Sequence, residues 1–101
     1  MNDKMMHMLG IARKAGKLAL GTDAAKESIV KHKCALIVMA SDLSERTVRH
    51  FALLTEEYGI KTLKTDITMD GIAKSVGKKT GVIAVNDMGF ANGLLALSAQ
   101  D

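Results

Sequence analysis

The sequence has no proline, one cysteine and only three aromatic residues, Phe51, Tyr58 and Phe90. Without proline there is no proline-rich linker. A lone Cys34 excludes an internal disulfide framework and any multi-cysteine zinc or iron–sulfur site. Three aromatics leave little material for the stacking platforms on which single-strand binders lay out bases. No apolar run approaches the roughly 20 residues of a membrane span. Met1 to Gly16 carries Asp3, Lys4, His7, Arg13 and Lys14 where a secretory leader would be apolar. These absences predict a reduced, cytoplasmic protein with no membrane partner.

Apolar residues make up 48% of the 101 residues and charged residues 25%, a balance that suits a globular chain and excludes a disordered one. At this length the expectation is a single domain, residues 1–101, with one modest core. The net charge of +3 is unevenly spread. Residues 1–34 hold seven bases against three acids, and the remainder holds seven against eight. A basic N-terminal third fits a polyanionic partner.

Periodicity and turn residues divide the chain into alternating helices and strands. Met5, Met8, Leu9 and Ala12 recur at helical spacing within Asp3–Ala15, and Gly16 stops that helix. The methionines read as core filling. Lys17–Leu20 is a short strand. Thr22 or Asp23 caps the next helix, which runs to about His32 with Ala25 and Ile29 inward and Val30 as a further inward candidate. Ala35–Ala40 is continuously apolar and suits a strand buried on both faces. A third helix follows Ser41–Ser44 and ends at Gly59, with Val48, Phe51, Ala52 and Leu54 or Thr55 inward. Ile60–Thr65 is a strand, Thr68–Val76 a short helix and Gly81–Val85 the last strand. Asn86 or Asp87 caps a final helix that buries Phe90, Leu94, Leu95 and Leu97. This order predicts an α/β sandwich with helices on both faces of a small sheet, and helical crossovers favour mainly parallel pairing.

Sites for chemistry are scarce. Gly71–Thr80 imitates a P-loop, but five residues separate its glycines, Lys79 stands where the hydroxyl belongs, and the segment leads into a strand. Asp66, Thr68, Asp70 and Gly71 imitate the start of a calcium loop whose closing glutamate is replaced by Gly77. Cys34 reads as a structural residue beside a core strand, and His7, His32 and His50 are too dispersed for a metal set. No catalytic constellation, cofactor or metal is expected. One corner stands out: a helix begins at Gly21-Thr22-Asp23, after a basic strand and before Lys26. Free backbone N–H groups at a helix start, helped by the dipole and nearby lysines, suit a phosphate or a base edge.

Taken in order, Gly10-Ile11-Ala12-Arg13-Lys14-Ala15-Gly16-Lys17-Leu18, Gly21, Ala35–Asp42, Val76-Gly77-Lys78 and Val85–Ala91 resemble the ribosomal protein L7Ae/L30e superfamily, most closely its small bacterial YlxQ-like branch. The resemblance spans nearly the whole chain. It implies a three-layer α/β/α sandwich with a small, mainly parallel or mixed four-stranded sheet. It also implies a monomeric RNA-binding protein whose partners include structured RNA and the ribosome. Members of the superfamily bind kink-turns, sharply bent RNA duplexes with tandem sheared G·A pairs.

By this resemblance two elements touch the RNA. The first is the start of the second helix, where kink-turn binders carry Gly-x-Asn-Glu-x-x-Lys. Gly21 matches; Asp23, Ala24 and Glu27 take the Asn, Glu and Lys positions, and Lys26 comes one residue early. Asp23 cannot donate as an amide does, Ala24 cannot accept from a base amine, and Glu27 repels a phosphate. The second element is the loop before the short fourth helix, Ile67-Thr68-Met69, fit to pack on a base. Lys14, Lys17, Gly21, Thr22, Asp23, Lys26, Ile67, Thr68 and Met69 are therefore the expected RNA-binding residues, with phosphate contacts giving most of the affinity and shape the selectivity. The altered helix start admits a second expectation, a ribosome- or transcription-associated protein adaptor that has lost kink-turn readout.

Overall fold

A computed structural model describes residues 3–99. Its elements follow the expected order: α1 (Asp3–Lys14), β1 (Leu18–Leu20), α2 (Thr22–Val30), β2 (Leu36–Met39), α3 (Glu45–Tyr58), β3 (Lys61–Lys64), α4 (Met69–Val76), β4 (Val82–Val85) and α5 (Met88–Ala99). None of these helices is long and apolar enough to cross a membrane.

The four strands lie in the order β1-β4-β2-β3. The pairing of β2 with β3 is parallel, whereas β4 runs antiparallel to both β1 and β2. Of the two expected pairings, mainly parallel or mixed, the sheet is thus mixed. The cause is the segment after α4, which returns the chain to the end where β2 finishes. There the Ala40 amide donates to the Gly81 carbonyl at 2.9 Å, so β4 must start where β2 stops.

The central strands are apolar at every position, and alternation sends their side chains to both faces. Leu36, Val38, Ile83 and Val85 face α1, α4 and α5, packing with Met5, Leu9, Ile72, Val76, Ala91 and Leu94. Ile37, Met39, Val82 and Ala84 face α2 and α3, packing with Ala25, Ile29 and Phe51. Three layers result. The edge strand β3 buries Leu63 and exposes Lys61, Thr62 and Lys64, and the charges of the two lysines discourage pairing with another chain.

Helix ends show where local chemistry decided the boundaries. Ser44 and Thr68 cap α3 and α4, accepting from the Thr47 and Gly71 amides. Of the two candidates before α5, Asp87 caps it, accepting from the Phe90 amide at 2.8 Å. Asn86 instead accepts from the Ser28 hydroxyl, tying α2 to the end of β4. Neither Thr22 nor Asp23 caps α2. Gly21 is the cap, at φ 101° and ψ 164°, and makes no side-chain bond. Its backbone turns sharply out of β1, which moves the first helical residue back to Thr22. Val30 and Ala52, expected inward, are exposed; each lies off the buried stripe of its helix.

Candidate nucleic-acid interface

One end of the sheet gathers the loops that leave β1, β2 and β3 and the loop that enters β4. Gly21 anchors this end, its amide donating to the Val82 carbonyl at 2.9 Å. Its bare α-carbon admits a close neighbour. A Cβ built there would lie 3.9 Å from Lys78 Nζ and 4.0 Å from Thr80 Oγ1, so the Lys78 ammonium stands directly over the corner. With no side-chain acceptor at the cap, the amides of Thr22, Asp23 and Ala24 have no hydrogen-bond partner among the described residues, the arrangement that attracts an anion or a base acceptor.

The other loops brace this corner. The Ser41 amide donates to the Ile67 carbonyl at 2.8 Å, and the Met69 amide donates to Asp42 Oδ1 at 2.9 Å. Thr65 Oγ1 donates to the Met39 carbonyl at 3.0 Å. At Gly81 a Cβ would collide with Leu43 Cδ1 and come within 3.3 Å of Met69 Sδ, so this glycine lets the β2–α3 and β3–α4 loops close over the start of β4. Lys79 is paired with Asp70 at 3.1 Å. Lys26, Arg46 and Lys78 have no ion-pair partner among the described residues.

The expected RNA-binding residues do not all meet. Gly21, Thr22, Asp23 and Lys26 share the start of α2, and Thr22, Asp23 and Lys26 open onto a cleft shared with Arg46, Thr47, His50 and Phe51 of α3. Exposed Thr68 and half-buried Met69 lie in the same loop cluster. Ile67 is a correction: it is only 6% exposed and its side chain belongs to the core. Burial alternates through Leu63, Thr65 and Ile67, so the strand's period of two continues past β3 and turns Ile67 inward. That alternation was present in Leu63-Lys64-Thr65-Asp66-Ile67 and is the signal that could have found it. Lys17 stands at the opposite end of β1, its carbonyl accepting from the Asn86 amide at 2.8 Å, roughly 13 Å along the strand from Gly21. Lys14 lines a separate groove between α1 and α4 with Lys74 and Ser75.

Conversely, the loop facing Gly21 is the one after α4, not the one before it. Lys78, Lys79 and Thr80 were missed because their place beside α2 depends on β4 lying next to β1. The available signal was a lysine pair in a loop bounded by Gly77 and Gly81, which its likeness to a P-loop obscured. The outward side of α2 is electrostatically self-contained. Lys31 donates to Glu27 at 2.7 Å, and this bond and charge hold the Glu27 carboxyl below its ordinary range. Cys34 is no nucleophile here: burial pushes its thiol up to about 11, and it donates to the Leu36 carbonyl.

Residues 3–94 match the sequence pattern of the ribosomal protein L7Ae/L30e/S12e/Gadd45 family. The chain belongs to this family. Within it, the chain is 30% identical over 91 residues to the RNA-binding protein YlxQ of Bacillus subtilis, covering 89% of this chain and 90% of that one. It is 32% identical over 93 residues to the large ribosomal subunit protein eL8 of Haloquadratum walsbyi, covering 89% and 77% respectively. A solved structure from Bacillus halodurans, described as a protein with unknown function, superposes with a TM-score of 0.88 at 25% identity over 93% of this chain and 95% of that one. These likenesses agree with the L7Ae-like fold and the YlxQ-like branch that the sequence motifs resemble. They agree too with the layered α/β architecture described above.

Proposed function

We propose that this L7Ae-like chain is an RNA-binding protein, not an enzyme, and that it recognises kinked, structured RNA of the kink-turn type. The reading rests on one observation above all: the Lys78 ammonium overhangs the uncapped, glycine-cornered start of α2. Unpartnered amides and a cation meeting at a surface with no stacking aromatics suit a folded backbone better than a splayed single strand. In this reading Gly21 lets the RNA backbone approach, the first-turn amides meet a base edge or phosphate, and Lys78 and Thr80 close the corner from the other side. Thr68 and Met69 flank it. The names of its relatives support the class of ligand, since one is an RNA-binding protein and another a ribosomal protein. The protein works as a monomer in the cytoplasm, with ribosomal RNA among its partners.

The test is a titration against a kink-turn RNA, a straight duplex of equal length and a kink-turn with its G·A pairs replaced, at two salt concentrations. Selective binding to the intact kink is expected. Lys78→Ala should weaken it and reduce the salt slope by about one. Equal, salt-sensitive binding to all three RNAs would reduce the reading to general phosphate attraction.

A second reading rests on Asp23, Ala24 and Glu27, which replace the polar residues of the kink-turn motif while Lys31 keeps Glu27 charged. A protein adaptor without kink-turn readout would carry such a surface. Absence of binding to every RNA would favour it.

A further inference from the structure

The two sides of α2 differ in what they offer a phosphate. The side away from α3 carries Ala24 and the Glu27–Lys31 pair, whose charges cancel. The side toward α3 carries Lys26, one residue earlier and so rotated about 100° around the helix. There Lys26 lines a cleft of about 310 Å³ with Thr22, Asp23, Arg46, Thr47, His50 and Phe51. The cleft joins the starts of α2 and α3 and continues from the Gly21 corner through Thr22. Lys26 and Arg46 lack ion-pair partners among the described residues, and Arg46 also makes no hydrogen bond through its side chain there. Next along α3, Arg49 is engaged with Glu45, so Arg46 is the guanidinium left available. The floor is Phe51, which is buried in the core and cannot stack on a base. Hydroxyls of Thr22 and Thr47 and the His50 ring line the walls, with one carboxylate, Asp23, among them.

We infer that the RNA backbone leaving the Gly21 corner crosses onto α3, its phosphates held by Lys26 and Arg46 and oriented by His50. This rests on the RNA-binding reading and deepens it. The residues form a cleft with separated cations and polar walls, its one phenyl ring buried beneath them, which fits a phosphodiester strand. A guanidinium forks onto phosphate oxygens through paired N–H groups, and an ammonium supplies a point charge beside it. Asp23 costs some affinity here and favours the start of α2 through the helix dipole. The strand's path is therefore set by the side of α2 that faces α3, and the paired side with Glu27 is left out of contact.

The decisive experiment titrates wild type, Arg46→Glu, Arg46→Gln and Lys78→Ala against the same kink-turn RNA across a salt series. Arg46 is exposed and unbonded, so both of its variants should keep the wild-type far-UV spectrum and unfolding midpoint. Arg46→Gln should weaken binding and lower the salt slope by about one, and Arg46→Glu should weaken it at least about tenfold. Glu27→Ala should not weaken binding. If Lys78→Ala weakens binding but both Arg46 variants match wild type, the path over α3 is wrong and the RNA-binding reading stands. If wild type binds none of the RNAs, both fall.

Discussion

Replacing Gly21 with alanine tests the geometry on which the whole corner depends. At φ 101° and ψ 164° its backbone lies in a region that residues with a Cβ almost never occupy. Space is not the obstacle. The nearest atoms to an added methyl, Lys78 Nζ and Thr80 Oγ1, are at 3.9 and 4.0 Å, ordinary contact distances. The penalty is therefore conformational, about 1–3 kcal/mol, offset only in part by the stiffer unfolded chain. A net loss of about 2 kcal/mol corresponds to a melting temperature roughly 10 °C lower for a domain of this size. Gly16→Ala supplies an internal control. Gly16 sits at φ 73°, in the milder left-handed region with nothing near its Cβ position, and should cost about 1 kcal/mol. Urea unfolding followed by circular dichroism measures both. Loss of less than about 0.5 kcal/mol at Gly21, or a larger loss at Gly16, would refute the claim that β1 and β4 hold this residue in a glycine-only conformation.

Two further outcomes follow from side chains away from the corner. The thiolate of Cys34 should be scarce because burial pushes its thiol up to about 11. At pH 8 iodoacetamide should alkylate the native protein about 100-fold more slowly than the urea-unfolded one, and the native rate should still climb between pH 8 and 10. Equal rates would place the thiol in open water. Asp87→Ala removes the acceptor for the Phe90 amide at the start of α5 and should cost about 1 kcal/mol in the same unfolding assay, with Asp87→Asn milder; an unchanged midpoint would mean the cap contributes nothing.

Element order was legible because it follows from local chemistry. Apolar runs such as Leu36–Met39 are too short for a helix and too continuous for a half-exposed strand, and Gly16, Gly59 and Gly77 supply the positive φ that follows α1, α3 and α4, while α2 uses another residue, His32. Gly21 was legible as a corner for the same reason. Strand direction was not, because nothing within β4 records that it will slot between β1 and β2. The placement of Lys78 was lost with it. Chain position set Lys14 and Lys17 near Gly21, whereas β1 and the end of α1 carry them away. Ile67 was readable in principle from the alternation that begins at Leu63 and runs on past the end of β3 into the loop. The change from Lys at the Glu27 position to Lys at position 26 was visible as spelling; only the placement of α3 gives the displaced base a destination.

Strand order also sets a schedule for synthesis. In the sheet β1 pairs only with β4, and the Gly21 amide is held by the Val82 carbonyl, roughly sixty residues later in the chain. A ribosome releases α1, β1, α2 and the β2–β3 pair before any residue exists to hold that corner. Early chain is thus kept without its finished surface. The corner at Gly21 comes into being only when β4 emerges and threads between β1 and β2, so its surface is finished by a strand made long after the residues that line it.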